Sequence, residues 1–348
     1  MKSNDGINYA KRYVILVWLF IITFVMALHI GAVPLDWQQI LSVISYPIFH
    51  HVNFSSQQYA VVWFLRLPRL LAIALVGFGL GLAGSVMQGL LRNPLADPGL
   101  LGVSAGASLA IILFWLMGGP AIQLWLWQWL TPYVAVLGTF GVLVFLYFSA
   151  EWTGQNTVAG LILIGLACNA LFSAVIALVL YLSPHDFLQN AVLWSFGGVT
   201  TMPWLLLASG SILMLLGLVL LLNQAFALNV LALGEEDAAQ LGVGLMGFKV
   251  RTIVGVSLIV AASVAFAGPV SFVGLMVPHI MRRIYGPAHQ HLLVCSGLGG
   301  AVLLLLADML CQSISRVGAL PLGVVTALMG ALFFLWLLFY YRAHDYYA

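Results

Sequence analysis

Charge is scarce in this chain. Of its 348 residues, 6% are Asp, Glu, Lys or Arg, against roughly a quarter in a soluble domain, and the shortage excludes a soluble globular protein. The formal net charge is +2, with the cations scattered singly or in pairs, so there is no basic face for nucleic acid. The three cysteines, Cys168, Cys295 and Cys311, lie inside apolar runs without a C-x-x-C pair. They read as soft packing residues, not as a disulfide framework or a metal knuckle. A G-x-x-x-x-G-K-[ST] string is also missing: Gly242 to Gly247 is followed by Phe248 before Lys249. The chain therefore has no P-loop, and any ATP energy must come from another subunit. Ionisable groups near the middle of the apolar runs are nearly absent too, which removes the usual sites of an ion-coupled carrier.

What is present is hydrophobic, 63% of the residues. The apolar residues come in runs of about twenty, long enough to cross a hydrocarbon core of about 30 Å as helices. The first run, Tyr13 to about Val33, follows Lys2, Lys11 and Arg12 and reads as an uncleaved first helix. Further spans are expected near 69–91, 98–117, 132–149, 157–182, 203–222, 250–267, 270–281, 292–311 and 320–341, ten in all. The eighth is short and holds Pro278, so a broken or bundle-buried helix is expected there. The chain reads as all-α, a polytopic membrane protein forming one membrane unit over residues 1–348.

The positive-inside rule sets an orientation. With ten spans and both termini inside, Lys2, Lys11, Arg12, Arg92, Lys249, Arg251, Arg282, Arg283 and Arg342 are cytoplasmic, and only Arg66, Arg69 and Arg316 are outside. Those three outward cations are candidates for docking an acidic partner, with snorkelling to lipid phosphate as the plainer role. Pro34 to Phe64 reads as an outer interfacial piece. The longest inner connection, Asn223 to Lys249, contains LGEEDAAQLGV, whose Glu235–Leu241 part reads as a short surface helix with acids in its first turn. Such a helix suits a cytoplasmic partner.

Some strings mislead. Gly79, Gly81 and Gly84 spell G-x-G-x-x-G, but inside an apolar helix, where Gly77, Gly81 and Ser85 form a helix-packing stripe. Gly102 to Gly106 matches G-x-S-x-G without the α/β sheet that a nucleophilic serine needs. Asp308, with Gln312 and Arg316 following at helical spacing, reads as a partly solvated polar stripe. His279, His289 and His291 lack accompanying carboxylates and read as interfacial, not metal-binding. Arg92-Asn93-Pro94-Leu95-Ala96-Asp97-Pro98-Gly99 is the most distinctive string: two X-Pro steps make it stiff and non-helical, fit for a constriction. Ala83–Val86 and Ala267–Val270 echo each other on helices of opposite sense, the pattern of an inverted repeat.

At these residues the sequence resembles the FecCD-like permeases, the membrane subunits of type II ATP-binding-cassette importers for iron chelates, haem and cobalamin. The matching strings are RLPRLLAIALVG from Arg66, MQGLLRNPLADPGLLGVSAG from Met87, LALGEEDAAQLGV from Leu231, GPVSFVGLMVPHIMR from Gly268, LLLAD from Leu304 and LPLGVVTALMGALFFLWLL from Leu320. The resemblance implies a permease in the bacterial inner membrane that pairs with a second copy around a central path. It also implies two cytoplasmic ATPase subunits, which hold the ATP and Mg, and a periplasmic binding protein; no cofactor is expected in this chain. It further implies ATPase coupling over about residues 228–246, through Leu233, Gly234, Glu235, Glu236, Asp237, Gln240 and Leu241. Asn93 and Leu95 would form the cytoplasmic gate, with Gln155, Asn156 and Thr157 as a second layer. Docking to the binding protein would use Arg66, with Arg69 kept as a candidate from the charge distribution above. The second docking arginine of the family is replaced here by Gln312, with Arg316 one turn further on. The expected cargo is a ferric siderophore or haem, with cobalamin as the alternative. An ion-coupled secondary transporter is the alternative from another class.

Overall fold

The computed structural model describes residues 2–31, 33–45, 55–118, 124–153, 158–199, 201–314 and 320–345, and among these there is no strand. The helices are α1 (Lys2–His29), α2 (Trp37–Ser45), α3 (Ser56–Ala60), α4 (Leu67–Leu90), α5 (Val103–Gly118), α6 (Leu124–Thr153), α7 (Val158–Tyr181), α8 (His185–Ser195), α9 (Trp204–Leu222), α10 (Ala225–Leu231), α11 (Glu235–Gln240), α12 (Leu245–Ala267), α13 (Val273–Tyr285), α14 (His289–Ile314) and α15 (Leu322–Asp345). Among the described residues eight helical runs are long and apolar enough to cross a membrane, and Val103–Gly118 is a shorter apolar helix. With α5 and α13 added, the ten expected spans each have a helix.

The boundaries differ where proline intervenes. The second span starts at Ser56, not near 69, and runs unbroken to Leu90. Ser55 opens it with a capping box: its Oγ accepts from Gln58 N–H at 3.2 Å, and Gln58 Oε1 accepts from Ser55 N–H at 2.9 Å. Val61–Arg66 is a π-helical stretch in which Leu67 N–H reaches back to Val62 O. That wide turn brings the helix to Pro68, which has no N–H to give. Arg66 and Arg69 thus sit inside a helix instead of at its start. The third span begins late, at Val103, because Pro98–Leu101 is a separate 3₁₀ turn closed by Gly102 at φ 79°. The eighth, α13, is continuous through Pro278 and largely buried. Helices α2, α8 and α10 were not foreseen; each is too short to stand out by hydropathy.

α4 lies at the centre, against α14, α12 and α13. Lipid is as apolar as leucine, so helices associate in a bilayer through close contact, and small residues permit it. A Cβ on Gly77 would lie 2.3 Å from Gly300 O, one on Gly81 2.1 Å from Ser296 O, and one on Gly84 1.9 Å from Gly274 O. The small-residue stripe is therefore the seam on which α4 meets α14 and α13. Two buried hydroxyls of α12 bond to their own helix, Ser257 to Ile253 O and Ser263 to Ile259 O, both at 2.8 Å. The outer helices turn leucines outward, among them Leu163, Leu171 and Leu178 on α7 and Leu328, Leu332 and Leu335 on α15. That surface suits a bilayer.

Gly81→Ala is expected to lower the melting temperature of the detergent-solubilised chain strongly, since its methyl group meets backbone. Gly141→Ala, where a Cβ would meet nothing within 4 Å, should leave it unchanged or raised by the better helix propensity of alanine, about 1 kcal/mol. Equal effects of the two would contradict the seam.

Candidate functional site

The ends of the bundle differ in charge. At the end where α4 finishes, Arg12 Nη1 donates to Ile284 O at 2.7 Å and Tyr285 OH donates to Arg12 O at 2.9 Å. His289 N–H donates to Asn229 Oδ1 at 2.8 Å, joining α14 to α10. Arg12, Arg282 and Arg283 gather at this end, as the positive-inside reading groups them. His289 and His279 have no further ligating neighbours: among the described residues no group of three or more His, Cys, Asp or Glu comes together.

At the opposite end, the arginines expected to dock a partner are turned inward. Arg66 is 7% exposed. Its Nη1 donates to Leu28 O at 2.5 Å and His29 O at 3.2 Å, and its Nη2 to Val33 O. It therefore caps the last carbonyls of α1, where a cation also meets the negative end of the helix dipole. Arg69 Nε donates to Val199 O at 2.5 Å, and its guanidinium makes a two-pronged pair with Asp308, Nη1 to Oδ2 at 3.0 Å and Nη2 to Oδ1. With the Gln312 amide turned oxygen-inward, its Oε1 accepts from Arg69 Nη1 and Nη2 at 2.8 and 2.7 Å. Two expectations change. Arg66 and Arg69 spend their donors inside the protein instead of presenting them for docking, and Asp308 is a buried ion-pair partner instead of part of a solvated stripe. The signal was available in Arg69 and Asp308 as two opposite charges in apolar helices, which must pair. Arg316 lies outside the described residues.

Between α5, α7, α8 and the segment 269–275 lies a cavity of about 550 Å³. Its polar lining includes Asp97, Ser104, Ser108, Asn169, Ser173 and Ser271, set among Ile112, Ile176 and Phe272. Phe272 takes φ 67° at the N-cap of α13. Asp97 is the charged residue of this lining. Burial pushes its carboxyl up to about 6, with the Gly99 N–H pulling the other way. The RNPLADPG connection borders the cavity: Asp97 and Gly99 line it. Leu95 is exposed, and Asn93 Oδ1 accepts from Leu95 N–H at 2.9 Å, an Asx turn. The second expected gate layer, Gln155, Asn156 and Thr157, falls outside the described residues.

The acidic segment forms a helix, Glu235–Gln240, with Glu235, Glu236 and Asp237 in its first turn. Gly234 enters at φ 136° and Gly242 leaves at φ 84°, with open space around the latter. Ala238 is buried and anchors the helix, while Leu233 and Leu241 stay exposed at its ends. Glu235 is engaged by Lys249 Nζ at 2.9 and 3.0 Å, on the surface. Glu236, Asp237 and Gln240 remain exposed. Two exposed leucines flanking exposed acids make a surface fit for a partner that is apolar in part and basic in part.

The sequence matches the FecCD transport family over residues 19–340. It is 35% identical over 327 residues to the hemin transport system permease protein HmuU of Yersinia pestis, covering 92% of this chain and 94% of that one. To the vitamin B12 import system permease protein BtuC of Vibrio cholerae it is 39% identical over 298 residues, 84% of this chain and 86% of the other. Its fold superposes on a solved structure described as an inward-facing conformation of a metal-chelate type ABC transporter, with a TM-score of 0.80, 32% identity and coverage of 95% and 99%.

Asp308→Ala leaves the Arg69 guanidinium buried without its carboxylate and is expected to cost about 3–5 kcal/mol, read as a large fall in melting temperature. The double variant Arg69→Leu, Asp308→Leu removes both charges and should melt above either single variant. A double variant that loses the sum of the singles would contradict a buried pair. Arg66→Ala should likewise lower the melting temperature, whatever the salt concentration.

Proposed function

The chain belongs to the FecCD transport family, and from that premise we propose that it is the membrane-spanning permease subunit of an ATP-driven importer that moves an iron chelate, haem or a ferric siderophore, inward across the bacterial inner membrane. The observation that carries this reading is the cavity of about 550 Å³ bordered by the RNPLADPG connection. Its volume lies within the range of roughly 300–1,000 Å³ typical of small-molecule sites, and its lining is mostly apolar and small polar. Such a wall lets a bulky chelate pass without gripping it.

The chain is a conduit and catalyses no reaction; nucleotide hydrolysis belongs to two separate ATPase subunits, which hold the ATP and Mg. Support comes from the missing P-loop and from the exposed acids on α11, the proposed seat of ATPase coupling. A second copy of the chain would complete the path, and a periplasmic binding protein would deliver cargo to the end where α4's helical run begins. Because Arg66 and Arg69 are engaged internally and Gln312 is turned toward Arg69, docking there would fall to Arg316 and the surrounding polar surface. Asn93 and Leu95 would close the path from the cytoplasm together with Gln155, Asn156 and Thr157, the termini lying on that same side. Closure of the ATPase dimer would press on α11, and the two copies would tilt to alternate access. A corrinoid cargo is the second reading, supported by the B12 permeases among the relatives.

The test is uptake into proteoliposomes holding this chain, its ATPase subunits and its binding protein, offered haem, ferrioxamine B and cyanocobalamin in turn. Uptake of an iron-bearing cargo, dependent on ATP, is expected; uptake of cyanocobalamin alone selects the second reading. In the same system Glu236→Lys with Asp237→Lys should break coupling, leaving hydrolysis that drives little uptake. Glu235→Gln should matter less, because Lys249 already occupies that carboxylate. Normal coupling in the double lysine variant would remove these acids from the interface.

A further inference from the structure

The connection between α4 and α5 leaves the α-helical ladder, exposed at Arg92, Pro94 and Leu95 and buried at Ala96 and Pro98, so the polar groups of its buried half need partners in the protein. Most are answered locally. Asn93 N–H donates to Gln88 O at 3.1 Å, Ala96 N–H to Asn93 O at 3.1 Å, and Gly102 N–H to Gly99 O at 3.2 Å. Gly99 N–H donates to Asp97 Oδ1 at 2.7 Å. One bond goes to another helix: Asn169 Nδ2, on α7, donates to Gly99 O at 2.8 Å. The backbones also meet there, since a Cβ on Gly102 would lie 3.0 Å from Cys168 Cβ and 3.3 Å from Gly165 O.

We infer that Asn169 is a positioning residue that clamps the gate connection to α7. The clamp makes Asn93 and Leu95 move as one body with α7. This rests on the proposed gate role of those residues. It adds that the gate connection is tied to α7 by a hydrogen bond about three turns into that helix. A single amide set against a carbonyl is suited to this: it fixes the register of the loop against the helix, and breaking it frees the loop without emptying a packed core. When α7 tilts, the loop goes with it.

Asn169→Leu keeps the branching at Cγ, removes the donor and is the better residue for an apolar helix, and its added bulk has the cavity that Asn169 lines to enter, so it unties the loop without a reason to unfold the chain. Asn169→Asp sets a carboxylate oxygen against Gly99 O and repels it. Asn169→Gln retains a donor. The measurement is ATP-independent release of calcein from proteoliposomes containing the assembled importer, with Leu95→Ala as the direct gate variant and melting temperature recorded for each. Loss of one such bond is expected to raise release about fivefold in Asn169→Leu and at least as much in Asn169→Asp. Asn169→Gln should stay near the wild-type rate, and Asn169→Leu should keep the wild-type melting temperature. If Leu95→Ala leaks and Asn169→Leu does not, the clamp is overturned while the gate stands. If neither leaks, the gate reading falls and the clamp with it. If Asn169→Leu leaks only as far as its melting temperature drops, the residue is structural and the inference is also overturned.

Discussion

A carbonyl or amide left unpaired in hydrocarbon costs several kcal/mol, and that constraint governs this structure more than any apolar contact. Most of the backbone meets it by being helical. The exceptions are few and each has a specific remedy. The C-terminal carbonyls of α1 are covered by Arg66, the approach to Pro68 by a π-helical turn, and the α4–α5 connection by the side chains of Asn93, Asp97 and Asn169. Asp308, the acid inside α14, is answered by Arg69 from α4. The polar residues in the bundle are thus largely structural, and what they leave free marks where function can reside.

Two such places are a cavity wall and a short surface helix. The wall is built where irregular backbone is held between α7 and α13, and it carries a single carboxylate among small hydroxyl groups in its lining. Among the described residues, the acids of the surface helix find an ion-pair partner at Glu235 alone. Between them runs the rigid bundle seamed by Gly77, Gly81 and Gly84. The close backbone contacts leave little room for the helices to shift against one another at that seam.

The spans were legible because the apolar runs are long and the composition leaves no alternative; even the short α13 and the acidic helix at Glu235–Gln240 showed in the sequence. The glycine stripe was legible for the same reason, since small residues at helical spacing have one main use in a bilayer. Illegible were the features set by partners distant in sequence. Nothing near Arg66 says that it faces Leu28 and Val33, and nothing in RLPR distinguishes an outward arginine from one that covers a helix end. The clamp of Asn169 on Gly99 spans 70 residues and had no local signature. Helix α8 is moderately polar and brief, so hydropathy passes over it.

The central claim is that the chain conducts but does not drive. The direct measurement is uptake of labelled cargo by reconstituted importer under two separate conditions: an ATPase subunit unable to hydrolyse ATP, and full ATPase activity with ion gradients collapsed by ionophore. Uptake abolished in the first and kept in the second is the expected result. Uptake that survives without hydrolysis and vanishes with the gradient would contradict it.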